Sequence, residues 1–487
     1  MSIAVCGGGI AGLSAAYYLA RYLPKTQIVL LEQGTHLGGW LQSVKVPCSK
    51  SPTGSVLFEK GPRTLRPIGL PGLATLDLVA KLKLQDKILP ILKSSTSAKN
   101  RYLYYPDRLN HVPSNLFQSL SMFMSPAFRS MPWAMLMEPF RRKKADSADE
   151  SVWSFANRRF GPKVADRVMS ALVHGIYAGD IHELSVKSSM FRNMFNAEQT
   201  GGSLILGMIR AMFKGGFPLT AEQKEVKNLL RNTPETMSLY HHLKSTAIFA
   251  LQDGIETLSK AMYDALKKSP NVEVRLETPV TNIEPSSEKS VHVNGEAFSN
   301  VVVAMSSRQL EKVASAPAMG TPTSSVYLVN VYYKDPKVLP VSAFGYLVPS
   351  ATPNNPHKVL GVVFDSDQSN PEQGTKLTVM MGGRSYTKDP TLIPSSPEKA
   401  TEAALDALKQ QLNITATPDL TLATLQRDCI PQYAVGHEEK LNQLNEWNNK
   451  KMNGCLKFTG SWYNGVAITD CILNGHIVAR DLAKIHS

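Results

Sequence analysis

Cysteine is scarce in this chain of 487 residues, and its five copies (Cys6, Cys48, Cys429, Cys455, Cys471) are odd in number, scattered and free of any CxxC spacing. That excludes a disulfide framework and a thiolate metal site, leaving reduced, mostly buried thiols as the expectation. Long apolar runs are lacking too. No unbroken stretch reaches the roughly 18 residues that a spanning helix needs. Carboxylates are in deficit, 40 against 53 lysines and arginines, for a formal charge of +13. Such a balance suits an anionic partner: nucleic acid, a phospholipid surface or an acidic small molecule. Basic runs with interleaved aromatics are missing and Arg141–Lys144 is short, which argues against nucleic acid. Neither HExxH nor GxSxG occurs, and the eleven histidines form no ligand-like cluster, so no metal site is expected. His241 and His242 are adjacent, which on a helix turns the two rings to different faces and predicts solvent exposure. The opening MSIAVCGGG runs straight into a strand, which predicts no cleavable signal or transit peptide and puts any organelle address inside the chain.

What is present suffices for two or three packed domains, since 43% of the residues are hydrophobic and 19% charged. Ile3–Cys6 reads as a buried parallel strand, and Gly7-Gly8-Gly9-Ile10-Ala11-Gly12 completes G-x-G-x-x-G immediately after it. Leu13 to Tyr22 keeps apolar residues at helical spacing, and Gln27–Leu31 is a second apolar strand ending at Glu32. In such a unit Gly7 permits the tight turn, Gly9 lets backbone approach a pyrophosphate, and Gly12 packs helix against strand. The helix start offers free N–H groups and a positive dipole end. Glu32, with Gln33 beside it, lies where an acidic residue accepts ribose hydroxyls; a site for a phosphorylated ribose would want a basic residue there. A second glycine pair, Gly38-Gly39, follows, and it resembles the extended fingerprint of FAD proteins of the amine oxidase and desaturase superfamily.

Further landmarks narrow the match. LGGW at Leu37–Trp40, FEKGPRTLRP at Phe58–Pro67, NRYLYYP at Asn100–Pro106, GIYAGDIHELS at Gly175–Ser185, CIPQY at Cys429–Tyr433 and GSWYNGVAITDCILNG at Gly460–Gly475 look like segments of the eukaryotic protoporphyrinogen oxidase family, in the family's order. The resemblance implies an α/β (α+β) fold: a Rossmann-like FAD-binding domain of the amine oxidase type, a mixed-sheet substrate domain and a helical membrane-associated domain. On that plan residues 1–90, 247–318 and 455–487 form the FAD-binding domain, 109–215 the helical domain, and 91–108, 216–246 and 319–454 the substrate domain. The sequence is compatible with it. A helix-like stretch at Gly254–Lys268, alternation at Val272–Leu276 and Val280–Ile283, and the strand Val301–Met305 would return the chain to the FAD domain. Gly465-Val466-Ala467 is expected to begin the final helix, with backbone N–H groups toward the pyrimidine edge of the flavin.

The resemblance also carries site residues. Gly7 to Gly12, including Gly8, Ile10 and Ala11, together with Gly39, Trp40, Gly61, Pro62, Arg63, Thr64, Val280, Ser461, Val466, Ala467 and Ile468, would line the FAD site. Arg63 has a second reading, a structural salt bridge. Arg101 would clamp a substrate propionate, its fork suiting a carboxylate, although on its own it reads as a surface arginine. Val331 and Met380 would sandwich the tetrapyrrole, and both are core residues on any reading. Gly175 would let the ring approach backbone. Because the flavin carries the chemistry, no catalytic side chain is expected. The implied reaction removes six electrons from protoporphyrinogen IX in successive rounds, with dioxygen reoxidising the flavin and hydrogen peroxide formed.

Between Leu109 and Met137 the chain is poor in charge and rich in Met, Phe, Leu and Trp, yet Pro113, Pro126 and Pro132 interrupt it. With Arg141–Lys144 after it, this stretch could lie in a bilayer interface or form an ordinary helical hairpin core. The family resemblance implies a homodimer on the intermembrane-space side of the mitochondrial inner membrane. Three other readings stay open: another flavin oxidase of the superfamily, such as an amine oxidase; a bacterial-type coproporphyrinogen oxidase; and a non-enzymatic prenyl-GTPase dissociation inhibitor. Ser350–Pro356 and Thr387–Pro397 read as loops, and Lys214–Glu235 as a polar, turn-containing connection.

Overall fold

The computed structural model describes residues 2–113, 121–144, 148–286, 290–366 and 374–486; residues 114–120 of the Leu109–Met137 stretch therefore lie outside the described residues. The first strand, Ser2–Cys6, is the centre of a five-stranded parallel sheet ordered Leu456–Phe458, Asn300–Val303, Ser2–Cys6, Gln27–Leu31, Val272–Arg275. Three stretches of chain, far apart in sequence, thus meet in one sheet. Both faces are covered, which is why these strands read as unbroken apolar runs. Ile3, Val5, Ile28 and Leu30 pack into a core with the helices Ile10–Tyr22, Gly69–Lys81, Glu256–Lys267 and Ile468–His486. Ala4, Cys6, Val29 and Leu31 face the opposite way, onto a three-stranded antiparallel sheet (Ile283–Pro285, Val291–Val293, Glu296–Phe298) and the helices Ser307–Ala314 and His437–Lys451.

A second sheet has seven strands, ordered Leu420–Pro431, Thr323–Tyr333, Thr375–Gly383, Val359–Phe364, Gly345–Leu347, Tyr102–Tyr104, Leu109–His111. Its pairs are antiparallel except Gly345–Leu347 with Tyr102–Tyr104. The helix Pro397–Leu412 covers one face through Ala400, Ala404, Ala407 and Leu408. Between the sheets' segments the chain forms a helical insertion from Val152–Phe160 to Leu204–Phe213. There Arg159 is fully buried between Glu138 and Glu198, both also fully buried. Three charges removed from water hold only because each is paired.

Two expectations change. The stretch Lys214–Glu235 is largely helical: Ala221–Arg231 opens on a capping box in which Thr220 and Gln223 satisfy each other's backbone N–H, and Pro234–His242 follows. These helices bury Val226, Leu230 and Leu239 in the core beneath the parallel sheet. Residues 221–242 therefore pack with the helices beneath the five-stranded sheet, not with the seven-stranded sheet to which 216–246 was assigned. Secondly, the final helix begins at Ile468, with Ala467 accepting from the Cys471 N–H at 3.0 Å, so Gly465–Ala467 form the turn before it. His241 and His242 are exposed.

The helices beneath the five-stranded sheet are joined by one buried carboxylate. Asp77 accepts from the Tyr18 hydroxyl at 2.8 Å, the Thr236 hydroxyl at 2.8 Å and the Lys81 ammonium at 2.9 Å. His476 of the final helix stacks on Tyr18 at 3.8 Å. Asp77→Ala strands two buried hydroxyls and a lysine, and is expected to lower the unfolding free energy by about 3 kcal/mol, measured by urea denaturation.

Candidate cofactor and substrate site

The glycine turn after the first strand is built as its sequence requires. Gly7 donates to the Leu31 carbonyl at 2.8 Å and sits at φ +111°, a region that favours glycine. A Cβ on Gly12 would lie 1.9 Å from the Gly7 carbonyl oxygen, so the helix Ile10–Tyr22 can start this close only without one. A Cβ on Gly9, by contrast, would meet nothing within 4 Å. The space beside Gly9 is open, as a pyrophosphate would need. Neither a side-chain cap nor an acidic residue occupies the first turn of this helix, so its N–H groups and dipole remain available to an anion.

Glu32 is held by the backbone it recognises. Gly8 N–H donates to one carboxylate oxygen at 2.7 Å and Gly34 N–H to the other at 2.8 Å. A carboxylate has about four lone-pair positions, so roughly two remain for vicinal ribose hydroxyls. The second glycine pair is fastened to the first: Gly38 N–H donates to the Gly8 carbonyl at 2.9 Å.

These groups border a cavity of about 380 Å³. Gly7, Gly9, Ile10, Ala11, Glu32 and Gln33 line one side of it. Gly39, Trp40, Pro62 and Val280 continue the wall, and Ser461, Val466 and Ile468 reach it from the far end of the chain. Of the other candidates, Gly8 and Gly12 act from behind the turn. Gly61 allows close contact with the Trp40 carbonyl, 2.7 Å from where its Cβ would be. Arg63, Thr64 and Ala467 do not border the cavity. Sequence reasoning missed Thr278, Ala304, Met305, Ser306, Gln309 and Trp462, which do. Most of them follow the C-terminal end of a parallel strand, where open α/β sheets bind ligands, and that rule was the available signal.

Arg63 takes its structural reading. It pairs with Asp365 at 2.6 Å, both side chains nearly buried. Asp365 also accepts from the Thr378 hydroxyl at 2.6 Å, and Thr378 reaches Asn330 at 2.8 Å. This chain of polar groups ties the FEKGPR segment to the seven-stranded sheet. Burial lowers the pKa of Lys376, whose ammonium donates to the Leu57 carbonyl at 2.9 Å in the same layer.

Of the residues expected to meet substrate, Met380 stands opposite Leu328 on the neighbouring strand. With Leu360, Ala178, Val326 and Cys429 they form a small, largely buried apolar cluster. Val331 is a correction. It lies three residues from Leu328, hence on the opposite face, and is fully buried with Leu377, Phe364 and Leu408. It cannot sandwich a ring with Met380, and Leu328 and Leu360 occupy that side instead. Gly175 is in the helix Ser170–Tyr177, where a Cβ would come within 2.6 Å of the Leu347 side chain. Its immediate neighbour is therefore that side chain. Arg101 is exposed, with its guanidinium 6.0 Å from the Phe344 ring centre and no carboxylate in ion-pair range among the described residues. Partial desolvation of the guanidinium by its neighbours first, and then the positive charge of Arg66, lower its pKa.

Residues 10–483 match the family of flavin-containing amine oxidoreductases. The chain is similar to the protoporphyrinogen oxidase of Schizosaccharomyces pombe, 57% identical over 486 residues, covering 100% of this chain and 99% of that one. It is 26% identical to the coproporphyrinogen III oxidase of Bacillus subtilis, covering 98% and 97%. Its fold is that of a crystal structure from Exiguobacterium, provisionally assigned as a protoporphyrinogen oxidase, at a TM-score of 0.74 and 21% identity over 99% of each chain.

Asp470, in the first turn of the final helix, lies against Gly465, where a Cβ would come within 2.7 Å of it. Burial raises its carboxyl pKa to about 6, opposed by a hydrogen bond with the Ala467 backbone. A folded-state value above the unfolded one means that this group's stabilising contribution is complete below the unfolded pKa and is lost as pH rises through about 6. Asp470→Asn is expected to remove that loss, so the difference in thermal midpoint between variant and wild type grows between about pH 4 and 6 and is flat above. Midpoints recorded across that range check it.

Proposed function

The chain belongs to the flavin-containing amine oxidoreductases and, within them, to the protoporphyrinogen oxidases, and on that premise we propose how it works on its substrate. Protoporphyrinogen IX loses six hydrogens in three two-electron rounds, and dioxygen takes each pair away as hydrogen peroxide. Bound FAD supplies the two-electron acceptor of each round. One observation carries the reading: the N-terminal glycine turn and the Ser461–Ile468 segment, more than 400 residues apart, border one cavity.

The protein's part is to bind, orient and shield. Glu32 keeps lone pairs for a ribose, and the first helix offers unopposed N–H groups to a pyrophosphate. Leu328, Leu360 and Met380 give a flat macrocycle an apolar support. Arg101, without an acidic partner among the described residues, supplies the cation for a propionate. Anaerobic addition of protoporphyrinogen is expected to bleach the flavin, and admitted air to restore it with porphyrin fluorescence and peroxide. Arg101→Ala is expected to raise KM by about 10- to 100-fold, the loss of one charge-assisted pair, with kcat little changed. Coproporphyrinogen III turned over side by side must lag; equal or faster turnover would transfer the chain to the other porphyrinogen.

The same reading includes peripheral attachment to the inner mitochondrial membrane from the intermembrane space, as a homodimer. Among the described residues no helix is long and apolar enough to cross a membrane. Apolar side chains nonetheless face outward just before and at the end of the helical insertion: Phe123, Met124, Trp133, Leu136 and Phe140, then Met212 and Phe213, the last 84% exposed. Arg141 and Arg142 are exposed beside them. Such a surface suits a headgroup and acyl boundary. Wild-type protein is expected to float with anionic vesicles and to run at twice the chain mass in detergent. Met212→Glu with Phe213→Glu is expected to cut the bound fraction roughly tenfold while flavin content stays unchanged; a double variant that still floats would oppose the membrane reading.

A further inference from the structure

The turn from Ser461 to Gly465 has an outer side and an inner side. Ser461, Trp462 and, just beyond, Val466 border the cofactor cavity. The inner side is filled by the last residue of the CIPQY segment. The Tyr433 hydroxyl donates to the Ser461 carbonyl at 2.6 Å and accepts the Gly465 N–H at 2.7 Å. One phenol oxygen thereby closes the turn across its base. The third inward group, the Tyr463 carbonyl, lies 3.2 Å from His437 Nε2. His437 in turn stacks on the Tyr433 ring, 4.0 Å between centres and 12° between planes. Both ends of this arrangement are anchored: Tyr433 accepts at its carbonyl from Ser185 N–H at 2.8 Å, and the Tyr463 hydroxyl donates to the Met305 carbonyl at 3.2 Å.

Phenylalanine would fill the same volume at position 433, so packing alone does not demand a hydroxyl. What the hydroxyl adds is a fixed separation between two backbone groups of the wall that meets the cofactor. Gly465 lies at φ +96°, outside the range most residues favour, and such a turn needs bonds from its surroundings to persist. Burial pushes the Tyr433 pKa well above the usual phenol value, which keeps the hydroxyl neutral and able both to donate and to accept.

We propose that Tyr433, backed by His437, is a positioning residue for the flavin: it holds the Ser461–Val466 wall in one geometry and thereby sets FAD affinity and the potential of the bound flavin. The inference rests on the FAD reading of the cavity, and not on which porphyrinogen is oxidised. Its test uses the full-length protein without substrate. The FAD dissociation constant comes from flavin titration of the apoprotein, and the midpoint potential from dye equilibration of the holoenzyme. Tyr433→Phe is expected to raise the dissociation constant about tenfold, as the loss of buried hydrogen bonds would, and to shift the potential. Tyr18→Phe, which removes a buried hydroxyl bonded to Asp77 away from this turn, is expected to lower the thermal midpoint and leave both flavin readouts unchanged. His437→Leu keeps the hydroxyl but removes its stacked support; it is expected to move both readouts in the direction of Tyr433→Phe by a smaller factor, and it carries the test if that variant does not fold. Wild-type affinity and potential in the folded position-433 variant, or in His437→Leu where that stands alone, overturn the inference. So does an equal shift in Tyr18→Phe, which would mark a general loss of stability. Wild-type protein that takes up no FAD would instead sink the cofactor reading on which the inference rests.

Discussion

Two helices approach neighbouring backbone more closely than any side chain would allow, and the position of the cavity follows from it. The first helix begins over the Gly7 carbonyl because Gly12 has no Cβ. The final helix lies on the first because Gly475 has none either: its Cβ would fall 2.8 Å from the Ser14 Cβ and 2.9 Å from the Ala11 carbonyl oxygen. Held together this way, the two helices bring Ile10 and Ile468, the first residue of each, to the border of the same cavity. Helix starts present unpaired N–H groups and partial positive charge. Their convergence gives a chain whose two ends are remote in sequence a single place suited to an anionic, dinucleotide-like molecule.

Legibility in the sequence followed the strength of local constraint. The strand, glycine turn and helix at the start could be read residue by residue, because each glycine there answers a specific steric or ligand need. Glu32 was legible for the same reason. Thr323–Tyr333 was not, since all eleven of its residues are buried. Without polar alternation nothing in the sequence tells one face of that strand from the other, so nothing in it could check the side on which the resemblance placed Val331. The helices between Lys214 and His242 were obscured by polarity. Only Val226 and Leu230 of Ala221–Arg231 are buried, yet Thr220 and Gln223 spelled out a capping box that would have disclosed them. Arg63 illustrates another limit, for a GPR turn says nothing about an aspartate 302 positions away.

The distribution of charge separates what holds the protein together from what it offers to a ligand. Arg159 is paired on two sides, by Glu138 and Glu198. Arg63 has Asp365. Each of these cations would be costly inside the protein without its partner. Arg101 differs: no acidic group is in range of it among the described residues, and the nearby charge that acts on it is the like charge of Arg66. Two like charges that act on each other raise the local potential, which an incoming carboxylate would relieve.

The helical insertion reverses the usual relation between apolar surface and burial. In a helix packed on a soluble core the apolar stripe faces inward. In Leu204–Phe213 the one buried residue is Gly207, whose Cβ would fall 1.9 Å from the Ala197 carbonyl oxygen. The helix therefore meets Arg192–Gly201 backbone to backbone, with Leu204 at its start packing on the core that holds Phe195. Its start is secured by a charge instead: Glu138 accepts from the Ser203 hydroxyl at 2.6 Å and from Leu204 N–H at 2.7 Å. A carboxylate at a helix N-terminus is stabilised by the dipole and the free N–H groups there. With the helix fixed by glycine contact and capping, Met208, Ile209, Met212 and Phe213 are left exposed, and grouped apolar side chains of this kind mark a surface that meets something other than water.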